Sequence, residues 1–423
     1  MTEHAHHAEA RVDYLVAGAS HAALSALEAI RMADGTGSIA VLAKEVHRPY
    51  SPTVLPYVVS GRSRPDKVEL KAKDYFARNN IAFLAGSGLT GIDVAAKRAR
   101  LSDGTTLGYG KLLLATGAAP VIPPVAGLQD VKFHVLRTLD DAAALNAALA
   151  QTKTAVVLGA GLIGMHAAEN LAKTGAAVTV VEMQPQVLPG YFDAEAAAII
   201  AAVFAAKGVT LRLGAKVERA EAQGEGCTLE LSDGSTVAAD LLLVATGVAP
   251  ALDYLADSGV SIGRGILVDE RMRTSVADIY AAGDCAQARG FYDGKPLVGG
   301  ILPDAVEQGR IAGAAMAGDA GVVDYKGSVP LNTYTFFGQQ ALSVGKQDEG
   351  EVVLLESDAA GRRYLKIVMK DGRLTGIFGI NRLFDAGVMW QLILRRTDLG
   401  QVREKFLADP QKTARQIMSR TWR

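Results

Sequence analysis

The chain has 423 residues, enough for three domains at about 150 residues each. Apolar residues make up 49% and charged residues 21%, a globular balance that excludes disorder as the overall class. Lys plus Arg number 44 against 45 Asp plus Glu, so a net charge of −1 speaks against bulk nucleic-acid binding; the only cysteines, Cys227 and Cys285, exclude a disulfide framework, a four-cysteine iron–sulfur cluster and a C-x-x-C redox pair.

In chain order, the polar stretch Met1–Arg11, with His4, His6 and His7, reads as a frayed terminus rather than a metal site or signal peptide. Val12–Gly18 is a short apolar strand running into a glycine turn. A helix from about His21 to Met32 follows, and a second strand, Ile39–Leu42, ends at Lys44 and Glu45. A hairpin-like Ser102-Asp103-Gly104 leads to Lys111–Gly117, an apolar strand closing on Ala115-Thr116-Gly117. The series then returns. Ala155–Gly159 is again strand into glycine turn, a helix runs from about Ile163 to Lys173, and the strand Ala177–Val181 ends at Glu182. The Ala-rich run Ala196–Ala206 is too short to span a bilayer and reads as a buried or amphipathic helix. Ser232-Asp233-Gly234 then precedes Asp240–Gly247, which closes on Ala245-Thr246-Gly247. From about Tyr325 the character changes: Thr333–Phe337, Val352–Leu355 and Tyr364–Met369 alternate like antiparallel strands, and helices finish the chain. The predicted fold class is α/β, with two Rossmann-like (ββα) dinucleotide-binding domains plus an α+β C-terminal domain.

The chemistry lies in the turns. Gly159-Ala160-Gly161-Leu162-Ile163-Gly164 is a full G-x-G-x-x-G between strand and helix. Its first glycine makes the tight turn, its second lets backbone approach a pyrophosphate, and its third allows close helix–strand packing beside the free N–H groups of the helix start. Glu182 ends the next strand, where a carboxylate accepts from a ribose 2′-hydroxyl and repels a 2′-phosphate. Met183-Gln184-Pro185-Gln186 after it offers no Arg or Lys, which predicts NADH over NADPH. The first copy is degenerate: in Gly18-Ala19-Ser20-His21-Ala22-Ala23, Ser20 replaces the second glycine and Ala23 the third. Serine is small, and its hydroxyl is able to contact a phosphate. Alone this copy also fits a structural relic. Its meaning comes from the distant segment Thr274–Asp284, with its Gly283-Asp284 pair.

With both Ala-Thr-Gly closures, Pro120 and Pro250 after them, and Val306-Glu307-Gln308-Gly309-Arg310, the chain resembles the two-dinucleotide-binding-domain flavoproteins of the pyridine nucleotide–disulfide oxidoreductase superfamily over nearly its whole length. The resemblance implies FAD on the first fingerprint and NAD(H) on the second. It implies cofactor contacts at Gly18, Ser20, His21, Ala22, Lys44, Glu45, Pro52, Ala115, Thr116, Gly117, Gly159, Gly161, Leu162, Ile163, Gly164, Glu182, Gly247, Gly283 and Asp284, with Asp284 on the flavin ribityl or pyrophosphate end. It divides the chain into a FAD-binding domain in two parts, 1–122 and 248–324, an inserted NAD-binding domain, 123–247, and a C-terminal interface domain, 325–423.

The flavin-side stretch His47–Tyr57 carries no sulfur, and Cys227 and Cys285 both read as small buried thiols, which argues against a thiol mechanism. The frame of Pro49, Tyr50 and Leu55 resembles the ferredoxin and rubredoxin reductase branch, which includes the flavin modules of nitrite reductases. That branch usually has a Lys where Tyr57 stands and a Glu where His166 stands, paired beside the flavin. Tyr57 and His166 are therefore the expected catalytic pair, with drift at a packing position as the alternative. Pro52 stands where the branch usually has Arg, and Arg48 is a candidate for the missing charge.

The implied reaction is hydride transfer between NAD(H) and FAD, then electron transfer to an iron–sulfur acceptor on another chain. Gly18–Ala23 together with Tyr50–Tyr57 resembles the FAD subunits of multi-subunit aldehyde or 2-oxoacid oxidoreductases. A free-standing NADH-dependent ferredoxin or rubredoxin reductase and an NADH oxidase stay open, as does a non-enzymatic nucleotide sensor. From Trp390 to Arg423 eight basic residues face three acidic ones, a local +5 that suits either an acidic redox partner or an ordinary solvated helix face. Phe384, Trp390 and Trp422 are candidates for shielding the flavin or for packing. No metal site, nucleic-acid partner or membrane span is expected, and the location expected is cytoplasmic.

Overall fold

A computed structural model describes residues 11–382 and 384–421, so His4, His6, His7 and Trp422 lie outside the described residues. The helices, in chain order, are α1 (His21–Ala33), α2 (Leu55–Val59), α3 (Tyr75–Arg78), α4 (Leu139–Leu149), α5 (Leu162–Lys173), α6 (Ala194–Ala206), α7 (Leu302–Ala317), α8 (Ala386–Leu394), α9 (Arg403–Ala408) and α10 (Pro410–Thr421). Among the described residues no helix is long and apolar enough to cross a membrane. The chain divides into two compact units: Met1–Ser51, Asp66–Ala119 and Ala249–Ser328 form the first, and Pro52–Pro65, Pro120–Val248 and Val329–Arg423 the second.

The first unit is built on a seven-stranded sheet. Strands Ile81–Ala85, Ile39–Ala43, Arg11–Ala17 and Thr106–Leu114 run parallel in that order. Thr106–Leu114 is shared: its start pairs antiparallel with Arg98–Leu101, and its end pairs parallel with Ile279–Ala281. Leu15, Val16, Leu112, Leu113 and Leu114 are 0% exposed, as a sheet covered on both faces requires; full burial of each such side chain is worth about 1.5–3 kcal/mol. Leu114 pairs with both Ala17 and Ala281, so the chain leaves the sheet in one row at Gly18, Ala115 and Ala282. That register, which joins residues far apart in sequence, assembles the first candidate site. Helix α7 lies across α1 at two glycines: a Cβ on Gly309 would collide with Ala22 O, and one on Gly313 with Ala26 O.

The second unit carries a parallel sheet of Thr210–Leu213, Ala177–Glu182, Thr154–Leu158 and Leu241–Val244. Leu158 pairs with both Val181 and Val244, so Gly159 and Ala245 leave together beside Glu182, the last residue of its strand. A meander of Val217–Gln223, Gly226–Leu231 and Thr236–Ala239 follows the same pattern of insertion as Leu89–Asp93 and Arg98–Leu101 do in the first. The Ala-rich run forms α6, capped by Asp193, whose side chain accepts from Ala196 N.

The C-terminal sheet has the antiparallel order Leu331–Phe336, Gln339–Gly345, Arg373–Ile380, Arg363–Lys370, Glu351–Asp358. Sequence periodicity finds three of these strands. Gln339–Gly345 and Arg373–Ile380 escape it because they are central and buried on both faces, so no alternation marks them. Polar links join this sheet to α6 and its approach: Ser343 Oγ donates to Tyr191 O at 3.0 Å, and Tyr364 Oη and Lys366 Nζ donate to Asp193 at 2.5 and 3.1 Å. Phe204 of α6 packs on Phe336 and Phe337. Trp390 of α8 donates its indole N–H to Val329 O at 3.0 Å, and Phe384 is 8% exposed, so both are packing residues of this region.

Candidate functional site

In the second unit, the three glycines of the turn have separate reasons. Gly159 has φ +100° and a Cβ there would collide with Ala245 O. A Cβ on Gly164 would collide with Gly159 O, so chain packing demands both. A Cβ on Gly161 meets nothing within 4 Å; the opening is toward space that a ligand would fill. Gly161 caps α5 in an extended conformation, and Met165 is the first N–H to bond within the helix, to Gly161 O at 2.9 Å. By helix geometry the N–H groups of Leu162, Ile163 and Gly164 point out of the helix end, as an anion site requires. Ile163 is 39% exposed.

Glu182 does more than sequence reasoning assigned it. Its carboxylate accepts from Ala160 N and from Gln184 N, each at 2.8 Å, and so braces the glycine turn from the neighbouring strand. Each oxygen keeps acceptor capacity for a further donor such as a ribose hydroxyl. Gly247 has φ +111° and open space about it, while Thr246 Oγ1 ties the closure down through Val121 O at 2.7 Å.

The first unit repeats this geometry. Gly18 has φ +123°, and a Cβ there would collide with Ala115 O, the counterpart of Gly159 against Ala245. Ser20 is the N-cap residue of α1, yet its side chain makes no capping bond. Ala22 is buried under Gly309. His21 opens α1, and its Nε2 lies 2.8 Å from Ser51 Oγ. Burial holds the imidazole pKa below its usual value, and Asp284 pulls it partly back. Gly283, at φ +80°, donates its N–H to Gln308 Oε1 of α7 at 2.9 Å, which fixes the turn presenting Asp284. Glu45 accepts from Tyr50 Oη at 2.7 Å, and Lys44 is exposed. Thr116 Oγ1 lies 2.9 Å from Tyr254 Oη, and Gly117 turns away at φ +72°. The Thr of each Ala-Thr-Gly closure is thus an anchor for the turn.

Cys285 is fully buried beside this site, donates to Leu114 O at 3.3 Å, and has its thiol pKa pushed up by burial; Cys227 is 2% exposed. Both are core thiols. Arg48 departs from expectation. Its donors go to Glu69 at 3.1 Å and to the carbonyls of Ala72 and Lys73 at 2.9 and 2.8 Å, so it braces the 69–73 segment.

Pro52 falls in the second unit, at the start of a one-turn helix that leads into α2. Tyr57 of α2 is 41% exposed, with the Arg62 guanidinium 5.2 Å from its ring centroid. His166 of α5 meets Tyr334 edge-on at 4.7 Å, and burial lowers its pKa. Among the described residues Tyr57 and His166 share no hydrogen bond or ring contact; their helices are joined by other side chains. Asn170 Nδ2 donates to Pro56 O at 3.0 Å, and Asn146 Nδ2 of α4 donates to Val59 O at 2.7 Å. Glu169, 5% exposed, accepts from Phe337 N at 2.7 Å and from Lys173 Nζ at 2.5 Å. Sequence reasoning missed all three. The available signal was spacing: Glu169 and Asn170 follow His166 at helical i+3 and i+4.

Residues 12–321 match the model of the family described as pyridine nucleotide-disulphide oxidoreductase. The chain belongs to that family. It is 54% identical over 413 residues to the NADH-dependent phenylglyoxylate dehydrogenase subunit epsilon of Aromatoleum evansii, covering 97% of this chain and 98% of that one. It is 31% identical over 308 residues to a rubredoxin-NAD(+) reductase of Pseudomonas putida, covering 72% and 80%. A solved ferredoxin reductase from Rhodopseudomonas palustris superposes with a TM-score of 0.80 at 29% identity, covering 87% of this chain and 91% of that one. As a member of this family the protein is an oxidoreductase that uses FAD and NAD(H). The open space at Gly161, the outward N–H groups of α5 and the uncapped Ser20 hydroxyl fit dinucleotides at both turns.

Proposed function

We propose that the chain is the NADH-linked flavin subunit of a multi-subunit 2-oxoacid or aldehyde oxidoreductase, working in the cytoplasm and exchanging electrons with an iron–sulfur centre on a partner subunit. The observation that carries this is the end-to-end match to a dehydrogenase subunit, over 97% of this chain and 98% of that one. Bound FAD supplies the conversion between a two-electron hydride and single electrons.

The chain's own residues bind and orient. FAD is assigned to the first unit, with Gly18, Ser20, His21 and Ala22 at its pyrophosphate, Lys44 and Glu45 at its adenosine end, and Ala115, Thr116, Gly117, Gly283 and Asp284 along the remainder. On the resemblance alone, Pro52 is kept as a cofactor residue and Tyr57 and His166 as the catalytic pair. NAD(H) is assigned to the second unit, with Gly159, Gly161, Leu162, Ile163 and Gly164 at the pyrophosphate, Glu182 on the ribose and Gly247 at the closure. Glu182 rejects a 2′-phosphate twice over, by charge and because its oxygens already hold the turn. His166 presents an imidazole held neutral by burial where relatives of the ferredoxin reductase branch carry a carboxylate. The domain parts 1–122, 123–247, 248–324 and 325–423 are proposed on the resemblance; the compact units differ from them in placing Pro52–Pro65 with the NAD-binding part and in grouping 329–423 with it.

A second reading, a free-standing rubredoxin or ferredoxin reductase, draws on the 31% identity to a rubredoxin-NAD(+) reductase. Affinity purification from native expression separates the two. Stoichiometric recovery of an iron–sulfur subunit with a yellow, FAD-bearing chain is expected. A yellow chain recovered alone that reduces a soluble rubredoxin at full rate overturns the subunit reading.

A further inference from the structure

Asp304, the third residue of α7, has a buried carboxyl: it is 4% exposed. The Ser328 hydroxyl donates to it. Gly299 backs it so tightly that a Cβ there would collide with Asp304 Oδ2. The Tyr325 hydroxyl is buried with no full hydrogen bond and lies beside both Asp304 and Gln308. Gln308, one turn along α7, holds the N–H of Gly283, and the next residue is Asp284. One continuous cluster thus runs from Asp304 to the turn that presents Asp284, all of it within the first unit.

Burial pushes the Asp304 carboxyl up to about 6; the donors Ser328 and Tyr325 oppose this, and the charge of Asp284 adds to it. The other groups around the cluster are Glu307 and Arg310 on α7, ion-paired to each other at 2.8 Å, and His21 on α1, which faces Asp284. The loop at Gly299 contributes backbone only. Among the described residues, ionised Asp304 therefore has no cation paired to it, and it has a like charge nearby.

We propose that Asp304 is a positioning residue for Asp284 that makes FAD affinity depend on pH. The inference rests on the assignment of FAD to the first unit. Neutral Asp304 leaves the Gly283–Asp284 turn undisturbed. Ionised Asp304 repels Asp284 and adds negative charge beside a site for a dianionic pyrophosphate, so FAD is released more readily as pH rises through the Asp304 range.

The test is FAD dissociation from the full chain, read by the fluorescence of free FAD between about pH 5 and pH 8. The expected wild-type affinity falls about tenfold across that range, the scale for one like charge at this effective dielectric. Asp304→Asn keeps the shape and an acceptor for Ser328, and should remove the Asp304 break while leaving the smaller one from His21. Ser328→Ala removes a donor that favours the ionised form, and should move the break up by about one pH unit. Asp304→Asn tracing the wild-type curve, or Ser328→Ala moving it down, overturns the inference while leaving FAD binding intact. A chain that takes up no FAD at any pH removes the FAD assignment and this inference with it.

Discussion

The side-chain amide of Asn170 donates to the backbone carbonyl of Pro56 at 3.0 Å, across 114 residues of sequence. Asn146 does the same for Val59 O, so both ends of the five-residue α2 are held by amides from longer helices. An isolated helix of this length has no stability of its own. Asn170→Ala should speed amide exchange over residues 56–61, by the factor that about 1 kcal/mol of lost hydrogen bonding allows, with NADH affinity unchanged. Hydrogen exchange read by mass spectrometry checks this; unchanged protection in Asn170→Ala and in Asn146→Ala would show that α2 is held by packing alone.

The glycines of the second turn should separate folding from binding. Gly159→Ala and Gly164→Ala force a Cβ into backbone carbonyls and should destabilise the second unit by about 1–3 kcal/mol or more. Gly161→Ala has room, so its unfolding midpoint should stay near wild type while NADH binding weakens at least tenfold. Thermal unfolding beside an NADH titration distinguishes them. Weak NADH binding in none of the three would refute the dinucleotide assignment of this turn.

Glu182→Gln removes the charge and one of the two braces. The NADPH to NADH preference should rise about tenfold, chiefly through lost NADH affinity, because no Arg or Lys follows to receive a 2′-phosphate. Steady-state KM values for both nucleotides test it, and an unchanged ratio would place the discrimination elsewhere.

Tyr57 and His166 have different ring partners, Arg62 and Tyr334. Tyr57→Phe and His166→Ala should therefore act independently, with a double-mutant coupling below about 0.5 kcal/mol in the hydride-transfer rate. His166→Ala is expected to shift the flavin potential. Wild-type potential and rate in both single variants would reduce these positions to packing.

Asp193 links α6 to the C-terminal sheet, and its stability effect has a definite sign. Burial alone would raise its carboxyl pKa, but Tyr364, the Ala196 N–H and Lys366 together hold it below the usual range. A lowered folded-state pKa stabilises above the unfolded value and loses that contribution as pH falls through the folded one. Asp193→Asn should cost about 1–3 kcal/mol at neutral pH, and the gap to wild type should narrow as pH falls through and below the ordinary carboxylate range. Urea unfolding at several pH values reads this directly.

The repeated turns were legible in the sequence because strand, glycine and helix are neighbours there, and short-range periodicity reports them. Thr116 and Thr246 were visible as a motif, but not as anchors, since Tyr254 and Val121 that receive them lie 138 and 125 residues away. The bracing of the 69–73 segment by Arg48 was not legible for a related reason: its acceptors are mostly backbone carbonyls, and any sequence would provide those. Tyr57 and His166 could be singled out by residue type, whereas the amides that hold α2 look like ordinary surface asparagines until the helices are placed.

The assignment of Pro52–Pro65 to the second unit, between two stretches of the first, sets a limit on how the protein can be cut. Neither unit is a contiguous stretch of gene. A fragment beginning at Pro120 would lack α2, leaving Asn146 and Asn170 without the carbonyls they hold. A fragment ending at Ala119 would lack Asp284 and α7. Truncation libraries and domain transplants are thus expected to yield insoluble pieces, and a portable nucleotide-binding module from this chain would need residues 52–65 grafted back through a new linker.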